Sequence, residues 1–251
     1  PEFHRAWSNL GIAYLNLPDY DRTYSIDDSF RNGLAAADRA LELNPTSTEA
    51  KLVKANFSEF YCDTDGAAEQ YLAAIENDPM DPTARHWYAI VLLGAGHIEQ
   101  ARRHIDAAME IDPLISAVVS ISAYTHALQG QSEEAIKLAQ QSAALGFRGG
   151  DSELEGLMRL MSGDRQTAAQ LIRQAALSEK NLDRKEMLDQ FAQAAVDESV
   201  LNEFEQTVRH AGDFHSFDAA EISDFLALLG SSHLVDFNSN VECPLMGQLT
   251  W

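Results

Sequence analysis

Pro82-Thr-Ala-Arg-His-Trp-Tyr-Ala-Ile-Val-Leu-Leu-Gly-Ala-Gly96 runs on through His97-Ile-Glu-Gln-Ala101 to Ile105-Asp-Ala-Ala108-Met-Glu-Ile-Asp-Pro113. The stretch reads as two short amphipathic helices, a tight turn at Gly96 and a proline stop. Its pattern recurs on both sides. Asn44-Pro45, Asp78-Pro79 and Asp112-Pro113 close three successive units, with prolines 34 residues apart (79 − 45 and 113 − 79). Ala67, Ala101 and Ala135 keep the same interval, as do Gly96 and Gly130. A helix-turn-helix period of this length marks a stacked-repeat architecture, in which each unit buries its apolar face against its neighbours.

At these residues the chain resembles the tetratricopeptide repeat family, whose pattern puts an aromatic, a Leu-Gly pair and a Tyr on the first helix. Small alanines and a final proline mark the second. Trp7, Leu10, Gly11 and Tyr14 match the first-helix half. Ala101, Ala108 and Pro113 match the second half in the third unit, and Ala67, Ala74 and Pro79 match it in the second. Lys51, Lys54 and Ser58 depart from the signature. The resemblance implies an all-α, right-handed superhelical solenoid of about five helix-turn-helix repeats over residues 4–183. A helical cap is expected over 184–229, followed by an irregular tail over 230–251.

With 251 residues and 45% apolar composition, the chain can bury a large core. No apolar run reaches the roughly 18 residues that span a bilayer. Pro1-Glu2-Phe3 reads as a cloning-site remnant, and the chain is expected to be a portion of a longer protein. The formal charge of −21 argues against direct nucleic-acid binding by this segment, since such affinity depends on Lys and Arg neutralising phosphates. It keeps an alanine-rich solenoid soluble, and it would favour a basic partner. Cys62 and Cys243 would be free in a reducing compartment and could pair in an oxidising one.

The first unit opens with Ala6 to Leu15 as its first helix, and its second helix is expected from Leu34 to Leu43. About ten extra residues fall within 17–30, where Pro18 is expected to stop the helix and the remainder to project as a loop. In the second unit, Tyr61-Cys62-Asp63-Thr64-Asp65-Gly66 departs from a calcium-loop pattern, and Asp65 is expected to cap the next helix. The fourth unit ends in Gly146-Phe147-Arg148-Gly149-Gly150 instead of Asp-Pro. The fifth continues with Gly156, Gly163, Ala168 and Ala175, one residue out of step (163 − 130 = 33). Further helices are expected over Asp183–Val196, Glu198–His210 and Asp218–Leu229.

No His-Glu-x-x-His run, Gly-x-Ser-x-Gly elbow or phosphate loop occurs. His97 and His104, with acidic neighbours, read as solvated. His210, Asp213, His215 and Asp218 form the tightest His/carboxylate cluster, in an expected helix connection with no spacing that forces a metal site. An enzyme, a cofactor and a bound metal are therefore not expected. Binding is the natural use of a curved helical array. The register places Ser8, Ile12, Leu52, Asn56, His86, Ile90, Ser120 and Tyr124 on the expected concave groove, for a protein or peptide partner. Only Asn56 resembles the Lys, Arg and Asn set with which one subgroup of the family grips C-terminal carboxylates, so that ligand is not expected.

Residues 4–175 also resemble, in style, the helical region that follows a winged-helix DNA-binding domain or a cyclase domain in bacterial signalling proteins. That implies a sensory or oligomerising module of a bacterial signalling or transcription-regulatory protein, with a homodimer as one expected arrangement. A general assembly scaffold and a small-molecule sensor are the alternatives. The expected compartment is the cytoplasm, or the periplasm if a transmembrane helix lies upstream.

Overall fold

The computed structural model describes residues 3–20, 25–60, 63–147, 152–180, 182–197 and 199–200. Among them the elements are α1 (His4–Tyr20), α2 (Ile26–Leu43), α3 (Thr48–Phe60), α4 (Thr64–Asn77), α5 (Pro82–Gly94) and α6 (Ile98–Ile111). Then follow α7 (Ser116–Leu128), α8 (Ser132–Ala144), α9 (Glu153–Met161), α10 (Arg165–Ser178) and α11 (Leu182–Ala194). No strand occurs among the described residues. Odd-numbered helices open the units and even-numbered helices close them. Each helix packs on its hairpin partner and each closing helix on the next opening one, which makes a helical solenoid.

Local chemistry sets the period. The N–H groups of Asn44, Asp78 and Asp112 bond back to the carbonyls of Ala40, Ala74 and Ala108 at 2.8, 3.0 and 3.0 Å. The proline that follows disfavours helix at each of these residues, and Asn44 and Asp112 cap in an extended conformation. Their Oδ1 atoms then accept from the N–H groups of Thr46, Met80 and Leu114 at 3.2, 3.1 and 2.9 Å. Three closures are thus built alike. Inside the units, Gly96, Gly130 and Gly163 adopt φ of 77°, 74° and 89°. His97, Gln131 and Asp164 donate back to Leu92, His126 and Arg159 at 2.7, 2.9 and 2.9 Å, satisfying carbonyls that the helix end leaves open.

The first unit departs from the predicted loop. Its additional residues lengthen both helices: α1 reaches Tyr20 and α2 begins at Ile26, eight residues before the expected Leu34 (34 − 26). Pro18 does not stop α1. Proline removes the N–H that would serve the carbonyl four residues earlier, that of Tyr14. The Ser29 hydroxyl of α2 donates to that same carbonyl. A second correction falls at α4, whose N-cap is Asp63, with Oδ1 accepting from Gly66 N–H at 2.9 Å; Asp65 lies in the first turn.

The core is a strip along the array. Ala67, Ala74, Ala101, Ala108 and Ala135 are fully buried, where small side chains let helix axes approach. One turn after the first alanine of each closing helix stand Tyr71, Ile105, Ala139 and Ile172, also fully buried. In the first hairpin the small residue is Gly33: a Cβ there would stand 2.3 Å from Phe57 Cζ. The fourth unit closes at Gly146, with φ of 90°, and buries Phe147 in place of the proline.

α11 keeps the step, ending 33 residues after α9 (194 − 161), so the expected cap begins in register with the opening helices. A buried ion pair holds it. Arg184 Nη2 donates to both oxygens of Glu153, at 2.9 and 2.8 Å, and Nη1 donates to Glu179 at 2.9 Å. Glu153 is 1% exposed. The remainder of the expected cap beyond 200, the tail over 230–251, the His210–Asp218 cluster and both cysteines lie outside the described residues.

Two outcomes test this packing. Gly33→Ala should destabilise by roughly 1–3 kcal/mol in a denaturant titration, although Ala has the higher helix propensity, because Phe57 has no room to move. Arg184→Met should cost roughly 3–5 kcal/mol by removing the bidentate partner of a buried carboxylate. A loss below about 1 kcal/mol would mean that the pair behaves as a surface contact.

Candidate functional site

The opening helices form one layer, in which α1 touches α3, α5 touches α7 and α7 touches α9. All eight predicted groove residues lie on it at matching register, but at different depths. Ser8 is fully buried, its Oγ donating to the His4 carbonyl at 3.2 Å and lying 3.2 Å from Ser47 Oγ. Leu52 and Ile90 belong to the core clusters of the second and third units. Ser120 is buried and donates to the Ala117 carbonyl at 2.7 Å. Asn56 is half-buried, its side-chain amide turned back to the Leu52 carbonyl at 2.8 Å. Ile12 is exposed, and Tyr124 is half-buried between the clusters of the third and fourth units. Surface on this layer therefore comes from Ile12, Asn56 and Tyr124, while Ser8, Leu52, His86, Ile90 and Ser120 are interior.

His86 is the most informative of the interior five. Its ring donates to the Ala117 carbonyl of α7, which ties two opening helices together. Nε2 is buried without a partner among the described residues. Burial pushes its pKa down to about 4 from 6.5, against the smaller opposing effect of that hydrogen bond. Its ring meets Trp87 edge-on, with centroids 5.1 Å apart. The imidazole is thus neutral, and none of the eight positions carries charge on a chain whose formal charge is −21.

Sequence reasoning stopped one turn short of two further residues. Leu93 follows Ile90 by three and Leu128 follows Tyr124 by four, which puts each on the same helix face as its predecessor. Leu93 is half-buried and Leu128 exposed. The helical period, continued to the ends of α5 and α7, would have found both.

A polar network away from these positions joins the third and fourth units. Arg102 donates to Asp106 at 3.0 Å and to Gln129 at 2.6 Å, and Gln129 donates to Glu99 at 2.8 Å. His97 is exposed as expected, but His104 is not a solvated charge. It lies half-buried and edge-on to Tyr88, with centroids 4.8 Å apart, and burial with Arg85 and Arg103 lowers its pKa. Among the described residues no group of three or more His, Cys, Asp or Glu could hold a metal ion. No described helix is long and apolar enough to cross a membrane.

The fold is that of tetratricopeptide repeat proteins. The chain is similar to the crystal structure of PilW, a type IV pilus biogenesis factor (TM-score 0.64, 18% identity, 88% of this chain and 99% of that one). It is similar to PilF of Pseudomonas aeruginosa (TM-score 0.59, 18% identity, 94% and 97%). The thermophilic TPR protein TTC0263 of Thermus thermophilus is a third match (TM-score 0.60, 19% identity, 77% and 98%). No protein-family model matches this chain, and no curated protein does.

The depressed pKa of His86 carries a stability consequence with a definite sign. Above pH 6.5 the ring is neutral in both folded and unfolded chains. As pH falls from 6.5 towards 4, the unfolded chain takes up a proton that the folded chain refuses, so stability is lost. The loss approaches roughly 3 kcal/mol and levels off below pH 4. Denaturant titrations of wild type and His86→Gln between these limits should diverge by that amount; parallel curves would place the ring in a wetter site.

Proposed function

We propose that this chain is a non-catalytic interaction module that holds a protein or peptide segment on its inner helix layer. The observation carrying this reading is the uncharged, half-apolar surface of Ile12, Asn56, Leu93, Tyr124 and Leu128 on successive opening helices. An extended or helical segment crossing several units meets the same kind of surface at each step. None of these five side chains is a cation, so a partner's C-terminal carboxylate has nothing among them to pair with. Apolar anchors with basic flanks fit best, since the chain's −21 charge attracts cations at long range.

The resemblance over residues 4–175 supports a place in a bacterial signalling or transcription-regulatory protein, in the cytoplasm, with an output domain upstream. The likeness to PilW, named a pilus biogenesis factor, supports the rival reading of an assembly scaffold. The intact gene separates them: an encoded winged-helix or cyclase domain favours the regulator, and its absence the scaffold. Direct nucleic-acid binding by this segment is not part of either reading.

Peptides selected from a displayed random library on the whole chain should be apolar with Lys or Arg flanks. Titrated by calorimetry, they should bind at micromolar strength and lose roughly tenfold or more on Tyr124→Ala and on Leu128→Ser. Binding that ignores both substitutions would remove the inner layer from consideration. His86 is a poor probe, because its truncation opens the α5–α7 contact.

A further inference from the structure

Successive opening helices touch one another, α5 on α7 and α7 on α9, and helices in contact stand roughly 8–10 Å apart. A partner crossing the inner layer therefore meets one helix in each such step. Three backbone forms can be measured against it. An extended strand returns a side chain to the same side every two residues, about 7 Å, and is out of step after one unit. A polyproline II helix returns every three residues, about 9 Å. An α-helix returns after seven residues, about 10 Å. Spacing leaves the last two forms, and side-chain chemistry chooses between them.

Trp87 precedes Ile90 by three residues and so shares its face of α5. Trp87, Leu93 and Tyr124 pack on one buried cluster that contains Ile90 and Ile121, and all three remain half-buried. Two rings and an aliphatic chain thus stand at the seam of α5 and α7. The indole of Trp87 carries a donor and no acceptor. Its N–H bonds to no described residue and is not sealed from solvent. An α-helix spends its carbonyls on itself and offers that donor a partner only in its last turn. Polyproline II has no internal hydrogen bonds, so every carbonyl is available, and aromatic walls suit its preformed shape. We propose that the seam of α5 and α7 binds a proline-rich segment in polyproline II form, with an apolar anchor at every third residue and its carbonyls within reach of Trp87. Basic residues flank it, because the chain's charge of −21 draws cations in. The inference rests on the inner layer being the binding surface; it adds the backbone form, the repeat and Trp87 as a specificity-determining donor.

Three synthetic peptides with identical Lys-Lys flanks test it in calorimetric titrations of the whole chain. One carries Leu-Pro-Pro repeats, the second the same number of leucines at heptad spacing in an alanine-rich helix, and the third alternating Leu and Thr. The Leu-Pro-Pro peptide should bind at micromolar strength, at least about tenfold more tightly than either of the others. Lengthening its repeat to Leu-Pro-Pro-Pro breaks the step and should cost about tenfold. Trp87→Phe keeps a ring and removes the N–H. It should weaken the Leu-Pro-Pro peptide about fivefold, with circular dichroism unchanged and the helical peptide's affinity unmoved. The added-proline comparison needs no variant, so it decides even where Trp87→Phe unfolds. Preference for the helical or the alternating peptide, indifference to the added proline, or a Leu-Pro-Pro affinity that survives Trp87→Phe overturns the proposal. Where one of the other peptides wins and still responds to Tyr124→Ala, the inner layer stands and only the polyproline form falls. Failure of all three to bind also overturns the proposal, and the library selection then decides the inner layer on its own.

Discussion

Three short closures govern this molecule: an Asn or Asp whose backbone ends one helix, whose side chain folds over the next turn, and whose proline neighbour forbids continuation. Asn44, Asp78 and Asp112 perform the same task at equal intervals, so α3, α5 and α7 each start from a turn built alike. Everything else inherits that regularity. The fully buried alanines can meet their neighbours only if the hairpins repeat, and the inner layer has matching positions only if the opening helices are in phase. Where the closure changes, at Gly146 and Phe147, the step shortens to 33 (163 − 130) and the array continues.

Contacts in such an array join neighbours only, so no single centre holds the whole. Polar groups act as ties between helices, some within a hairpin and some between units. The Ser29 hydroxyl serves a carbonyl that Pro18 leaves open, His86 binds the first turn of α7, and Ser142 donates to the Ser116 carbonyl at 2.8 Å. The Arg184–Glu153–Glu179 cluster does the same for α9, α10 and α11 with charge.

The period, the helix pairs and the small-residue contacts were legible because each leaves a mark at a fixed interval. What misled was chemistry supplied from a distance. Pro18 reads as a stop unless Ser29 is known to stand beside Tyr14. Asp63 and Asp65 are equally good caps on paper, and only the chain path into α4 chooses between them. His104 keeps acidic company in sequence and an aromatic edge in space. For the groove, register put all eight residues at matching positions of the opening helices. It could not say how deeply each one sinks, so Ser8, His86 and Ser120 passed for surface. In α1 the error runs the other way: Trp7 and Leu10 belong to an interior signature but have no preceding unit to cover them among the described residues.

Equal closures also make the units interchangeable at the level of the gene. Removing residues 79–112 would join Asp78 directly to Pro113, and the junction would again read Asp-Pro followed by an apolar residue, Leu114 where Met80 had been. The new seam is chemically the old one, so in-frame loss or duplication of one such block leaves every turn intact and changes only which side chains meet across α4 and α7. Array length in a chain of this kind can therefore drift by whole repeats through recombination, with the ends held constant while the middle is copied or lost.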